Sequence, residues 1–205
     1  MKNLRFLTIA LAICANYFAQ DPTFTQFYSN PVYLNPALSG SSGCPRVALN
    51  YRNEWPQLTG NYVTYAASYD SYFKNISGGV GLVALHDQQG QGTIQTSMIG
   101  ASYSYYLKVN RKFRLMFGTQ AAYYQKYLDW SQLTFGDMID PRRGFIYQTG
   151  DVPRGDGRRG FFDVSAGLVG FSKNFYFGAA FHHLNRPDES MILGQSRLPI
   201  KFTGH

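Results

Sequence analysis

The chain holds only two cysteines in 205 residues, Cys14 and Cys44, too few for a disulfide framework. No apolar run approaches the ~20 residues that a membrane helix requires. Any passage through a bilayer must therefore be made by strands closed into a barrel, because open sheet edges leave backbone groups unpaired in lipid. Charge is also scarce: 15% of residues are charged, against 17% aromatic, which excludes a disordered chain and suits a helical bundle poorly. Chemistry-bearing clusters are missing too. His182 and His183 are adjacent in a strand-like stretch and so point to opposite faces. His183 falls on the row of Phe181, and no serine on a neighbouring stretch is an evident partner for a nucleophilic pair. Asp137 and Asp140 lack the spacing of a calcium loop. The Gly-rich stretch 155–160 follows no strand and opens no helix, so it is no phosphate loop. No catalytic residue, cofactor or metal is expected, and the protein is not expected to be an enzyme.

What is present begins with a leader. Lys2 and Arg5 precede a short apolar run, 6–15, and cleavage after Ala19 would leave Gln20 first. A lipoprotein reading centred on Cys14 meets bulky Ile13 where a small residue is needed. Loss of Lys2 and Arg5 with the leader takes the formal charge from +7 to +5. Export removes the chain from nucleic acid, so none is expected as a partner. The next stretch, 20–45, carries Asn30-Pro31, Asn35-Pro36 and a Ser/Gly run. It predicts an irregular entry segment on the periplasmic side.

From 46 onward the chain breaks into alternating stretches at 46–52, 62–69, 79–86, 93–109, 112–127, 161–171, 175–184 and 198–205. Phe113, Leu115, Phe117 and Tyr123 share one face of the fifth, opposite Lys112, Arg114, Gly118 and Gln120. Phe175, Phe177 and Phe181 repeat the pattern in the seventh. The third stretch is apolar on both sides, and its orientation is open. Large apolar rows opposite small or polar ones, with short connectors at 110–111 and 172–174 and a long one at 128–160, describe an all-β, up-and-down antiparallel transmembrane barrel. The apolar rows face lipid of the outer membrane of a Gram-negative cell. Lys112, Arg114 and Gln120 face the lumen. The chain stops within the eighth stretch without a terminal aromatic, so 46–205 is read as an incomplete barrel with about eight strands of a larger one.

On this parity the odd connectors are external. They hold the candidate partner-binding residues Trp55, Trp130, Arg142, Arg143, Arg154, Arg158 and Arg159. The tryptophans suit either an interfacial girdle or a docking anchor. The arginines could meet acidic lipopolysaccharide groups or an acidic partner, or could serve only to solvate the barrel mouth.

Gln20-Asp21-Pro22-Thr23-Phe24-Thr25-Gln26-Phe27, followed by Asn30-Pro31, Asn35-Pro36-Ala37 and Gly40, resembles the opening of the PorP/SprF family of Bacteroidetes outer-membrane proteins. Tyr51-Arg52-Asn53-Glu54-Trp55-Pro56, Gly79-Val80-Gly81-Leu82, Tyr103-Ser104-Tyr105 and Leu133-Thr134-Phe135-Gly136-Asp137 are similar to further stretches of that family. The resemblance implies a barrel of the type IX secretion and gliding motility machinery. Its partners would be other secretion components and an exported adhesin or a protein with a C-terminal sorting domain. A passive diffusion porin is the alternative.

Overall fold

The computed structural model describes residues 21–58, 60–110, 112–150, 156–191 and 195–205. The expected leader 1–19 and Arg154 lie outside them. Among the described residues ten strands follow one another: β1 (Arg46–Glu54), β2 (Tyr62–Phe73), β3 (Gly78–Gln89), β4 (Ile94–Lys108), β5 (Phe113–Leu128), β6 (Ile139–Asp140), β7 (Gly144–Phe145), β8 (Arg158–Ser172), β9 (Tyr176–His182) and β10 (Lys201–Gly204). Eight form one sheet in the order β1-β2-β3-β4-β5-β8-β9-β10. Every pairing in it is antiparallel. β6 and β7 make a separate small hairpin inside the long connector. The large sheet curls, but β1 and β10 do not pair with each other. The result is a half-barrel, an incomplete barrel of eight strands. No helix among the described residues is long and apolar enough to cross a membrane.

Alternation sets which residues face outward. In β8, Phe162 is 70% exposed while its neighbour Asp163 is 3% exposed. Leu49, Tyr65, Leu82, Ile99, Phe117, Phe177 and Phe181 lie with Phe162 on the convex face. Neighbouring rings touch across the strands, as in Tyr51–Tyr65, Tyr123–Phe162 and Phe181–Phe202. A continuous apolar face of this extent would be a severe liability in water, and a lipid environment removes the penalty. Small and polar residues, among them Thr64, Ser68, Ser102, Ser104 and Gln120, occupy the concave face and are buried.

The turns explain the unequal connectors. Between β4 and β5 the Asn110 side-chain oxygen accepts the N–H groups of Lys112 and Phe113, at 2.8 and 2.7 Å. This closes a tight Asx-type turn. Between β8 and β9 the Ser172 N–H donates to the Phe175 carbonyl at 2.7 Å. The β2–β3 connector is shorter than the sequence pattern indicates. Asp70 and Ser71 read as loop because they are polar, yet they belong to β2. Both are buried, and Asp70 faces inward on the row of Thr64 and Ser68.

The entry segment is built into the fold. A one-turn helix, Pro31–Leu34, and a short 3-10 turn, Pro36–Leu38, lie in the concave face. Val32 packs there with Ala66, Val83, Leu85, Met98 and Ala122, and Ala37 packs with Met116 and Val169. This settles the orientation of the third strand. Val83 and Leu85 face the entry segment and Leu82 faces out, so both sides of β3 meet apolar surroundings.

Candidate functional site

The entry segment is keyed to the wall by its own polar groups. The Asn35 side-chain amide donates to the carbonyls of Leu168 and Ala179, at 3.3 and 3.2 Å, while its oxygen accepts the Ala37 N–H at 2.9 Å. Strands β8 and β9 are thereby tied to the segment. The approach is close enough to require glycine in the wall. A Cβ on Gly118 would collide with the Ala37 backbone, and one on Gly167 with the Asn35 amide. Ser39 bonds to Ser102 and Ser104, at 2.6 and 2.5 Å. At the end of the sheet that carries the β2–β3 turn the Asp70 carboxylate, 1% exposed, accepts from the Gly40 N–H at 2.7 Å and from Arg46 at 2.8 and 2.9 Å. Arg46 also donates to the Leu38 carbonyl at 3.2 Å.

A second ionic cluster holds the start of the segment in the opposite half of the concavity. Asp21 meets His183 Nε2 at 3.1 Å and Lys201 Nζ at 2.9 Å, and His183 Nδ1 meets Asp163 at 2.9 Å. With a carboxylate oxygen opposite each ring nitrogen, both nitrogens must donate, so His183 is held as the imidazolium. Burial by itself pushes the Asp21 carboxyl up, but the hydrogen bonds and charges of His183 and Lys201 outweigh it and hold Asp21 well below the ordinary carboxylate range. The strict strand parity that put His183 on the row of Phe181 is corrected here. β9 ends at His182, and a left-handed φ of +59° at His183 turns its ring to the inside, where it is 3% exposed.

The sequence-derived partner-binding candidates disperse over the end of the sheet that carries the long connector. Trp55 has a positive φ, is exposed and packs edge-on against Tyr62. Trp130 stacks on Phe135 at 6.2 Å and lies against Gly157, closing the base of the long loop. Arg142 and Arg143 sit in the connection between β6 and β7. Their N–H groups donate to Asp140 Oδ1, at 2.8 and 2.9 Å. Arg158 and Arg159 belong to β8 rather than to the loop. Arg158 lies over the Tyr127 ring at 5.5 Å, and Arg159 pairs with Asp188 of the connector that follows β9 at 3.3 Å. Of the lumen candidates, Gln120 is buried in the concave face. Arg114 lies beside the rings of Tyr106 and Phe171, at 6.0 and 5.9 Å. Lys112 is exposed in the turn before β5.

Among the described residues, two surfaces remain open at the end of the sheet that carries the long connector. The first is the β6–β7 hairpin, which exposes Ile139, Phe145, Ile146 and Tyr147 beside Arg142 and Arg143. Its loop is ordered by acids turned onto backbone. Asp137 accepts the Gly150 N–H and the Thr149 hydroxyl, at 2.8 and 2.9 Å. These bonds hold its carboxyl below the ordinary value, and the Arg142 and Arg143 N–H bonds do the same for Asp140. Both acids are thus committed to loop geometry. The second surface is a cavity of about 380 Å³ between the wall strands, the entry segment and residues 189–191, 196 and 198. Lys126 and Glu189 both line it, and their ion pair joins wall to connector. Sequence reasoning missed both the filled concavity and this cavity, since neither is built from residues near one another in the chain.

A curled antiparallel sheet with an apolar convex face and a concave face filled by its own entry segment defines an incomplete transmembrane β-barrel. Residues 16–203 match the family described as type IX secretion system membrane protein PorP/SprF, and the chain belongs to that family. No curated protein and no solved structure matches the chain.

Proposed function

We propose that the protein is an outer-membrane component of type IX secretion that captures an exported protein at the cell surface without covalent chemistry. The cargo would be an adhesin of the gliding machinery or a protein bearing a C-terminal sorting domain. Family membership supports a role in type IX secretion. The observation that favours capture over passage is the entry segment, which occupies the concave face with Val32, Asn35 and Ala37 all buried. A diffusion porin needs an aqueous channel along that face, so the porin reading is the weaker one. The external connectors are then the working surface. The β6–β7 hairpin combines exposed aromatic and aliphatic side chains with two arginines, a composition typical of protein-binding hot spots.

The test replaces residues 139–147 with a Gly/Ser linker. The replacement stops short of Arg158 and Arg159 because these pair within the barrel. The expected result is a barrel that still reaches the outer membrane while its cargo appears in the medium. Cargo that stays attached to the replaced protein contradicts the reading.

A further inference from the structure

We propose that the external cavity receives a single lysine or arginine side chain of the exported partner, with Asp87 as its counter-ion. The inference rests on the reading that the external face captures an exported protein, and it names the chemistry of one contact.

Among the described residues, the buried and partly buried acids around the cavity are paired, with one exception. Asp21 has His183 and Lys201, Asp163 has His183, and Glu189 has Lys126. Asp87 is 3% exposed and lines the cavity. Its two oxygens accept only from neutral donors, Thr64 Oγ1 at 2.6 Å and Gln89 Nε2 at 2.9 Å. Among the described residues no cation lies within ion-pair distance of it. A buried carboxylate is stable when paired with a cation, and unpaired burial is costly. Asp87 therefore presents an unmet demand for positive charge beside an open space.

The walls decide which cation fits. Tyr33, Tyr124 and Phe161 supply aromatic faces, and Leu85, Ile94 and Leu198 supply aliphatic ones. This is a sleeve for a methylene stem that ends in a charge, as in lysine and arginine. A divalent metal needs several oxygen ligands, and no group of three acidic, histidine or cysteine side chains suited to a metal forms among the described residues. The cavity draws on none of β1, β9 or β10, so it is removed from the sheet's open edges.

The experiment uses the full chain in detergent micelles and follows saturation-transfer NMR with four probes: N-acetyl-lysinamide, N-acetyl-argininamide, N-acetyl-norleucinamide and ethanolamine. The two basic amides are expected to bind with a Kd on the order of a millimolar, and norleucinamide is expected not to bind. Asp87→Asn should weaken the basic amides at least tenfold. A second variant, Ile94→Lys, leaves Asp87 in place and puts a tethered ammonium into the cavity; it should abolish probe binding. Equal binding to wild type and to both variants overturns the proposal, as does tight binding of norleucinamide. Ethanolamine binding as well as the lysine derivative would assign the site to a lipid headgroup and also overturn it. Cargo retention after hairpin replacement is a separate readout, so failure of the probes leaves the capture reading standing.

Discussion

Gly118→Leu is expected to expel the entry segment from the concave face. The glycine lies where the Ala37 backbone crosses β5, and even one added carbon collides with it. Ala37 cannot retreat easily. It packs with Met116 and Val169, and Asn35, two residues before it, is bonded to Leu168 and Ala179. Overpacking of a dense contact costs about 1–3 kcal/mol, which multiplies an open population by roughly 5–150. The readout is maleimide labelling of Ser39→Cys in a background where the exposed Cys44 is serine. Ser39 is fully buried, so the parent should label slowly and the Gly118→Leu variant much faster. Ala121→Leu, on the convex face of the same strand, should leave labelling unchanged. Equal rates for both leucine variants would show that the segment is not packed as described.

Arg46→Ala should cost more than any substitution on the convex face. It removes the charge that pairs with Asp70, whose carboxylate is 1% exposed, and leaves the acid with the Gly40 N–H. Breaking a buried pair from one side costs about 3–5 kcal/mol, because the remaining charge cannot rehydrate. The loss should be visible in urea unfolding from micelles. Adding Asp70→Asn should recover much of it, since a neutral amide carries no unpaired charge. A loss under about 1 kcal/mol, the worth of an exposed pair, would place Asp70 in contact with water.

The barrel was legible because the strand period of two is local. Phe113, Leu115 and Phe117 opposite Arg114, Gly118 and Gln120 state the two faces within a few residues, and the family resemblance carried by 20–27 and 30–40 is upheld by the family match. The packing of the entry segment was not legible. Its Asn-Pro pairs mark turns but carry no periodicity, and its partners lie far along the chain, as Asn35 to Ala179 shows. One local trace existed: β3 is apolar on both faces, which a strand between lipid and water has no reason to be. His183 was misplaced because parity ends where a backbone turns left-handed, and His183 gives no local sign of doing so. The arginines of the long connector looked like one patch in sequence. Asp188 claims Arg159, and the Tyr127 ring lies beneath Arg158, so proximity along the chain did not become proximity in function.

A transmembrane half-barrel requires the convex rows to meet acyl chains while the concave face meets the entry segment. Phe177 and Phe171 test this directly. They lie at similar heights on paired strands, with Phe177 exposed on the convex face and Phe171 packed near Met116 and Val169 inside. In a background with Trp55→Phe and Trp130→Phe, Phe177→Trp and Phe171→Trp are each reconstituted into vesicles containing brominated phosphatidylcholine. The Phe177→Trp fluorescence should be strongly quenched and the Phe171→Trp fluorescence nearly untouched. Quenching of the Phe171→Trp variant with a bright Phe177→Trp variant would contradict the membrane assignment.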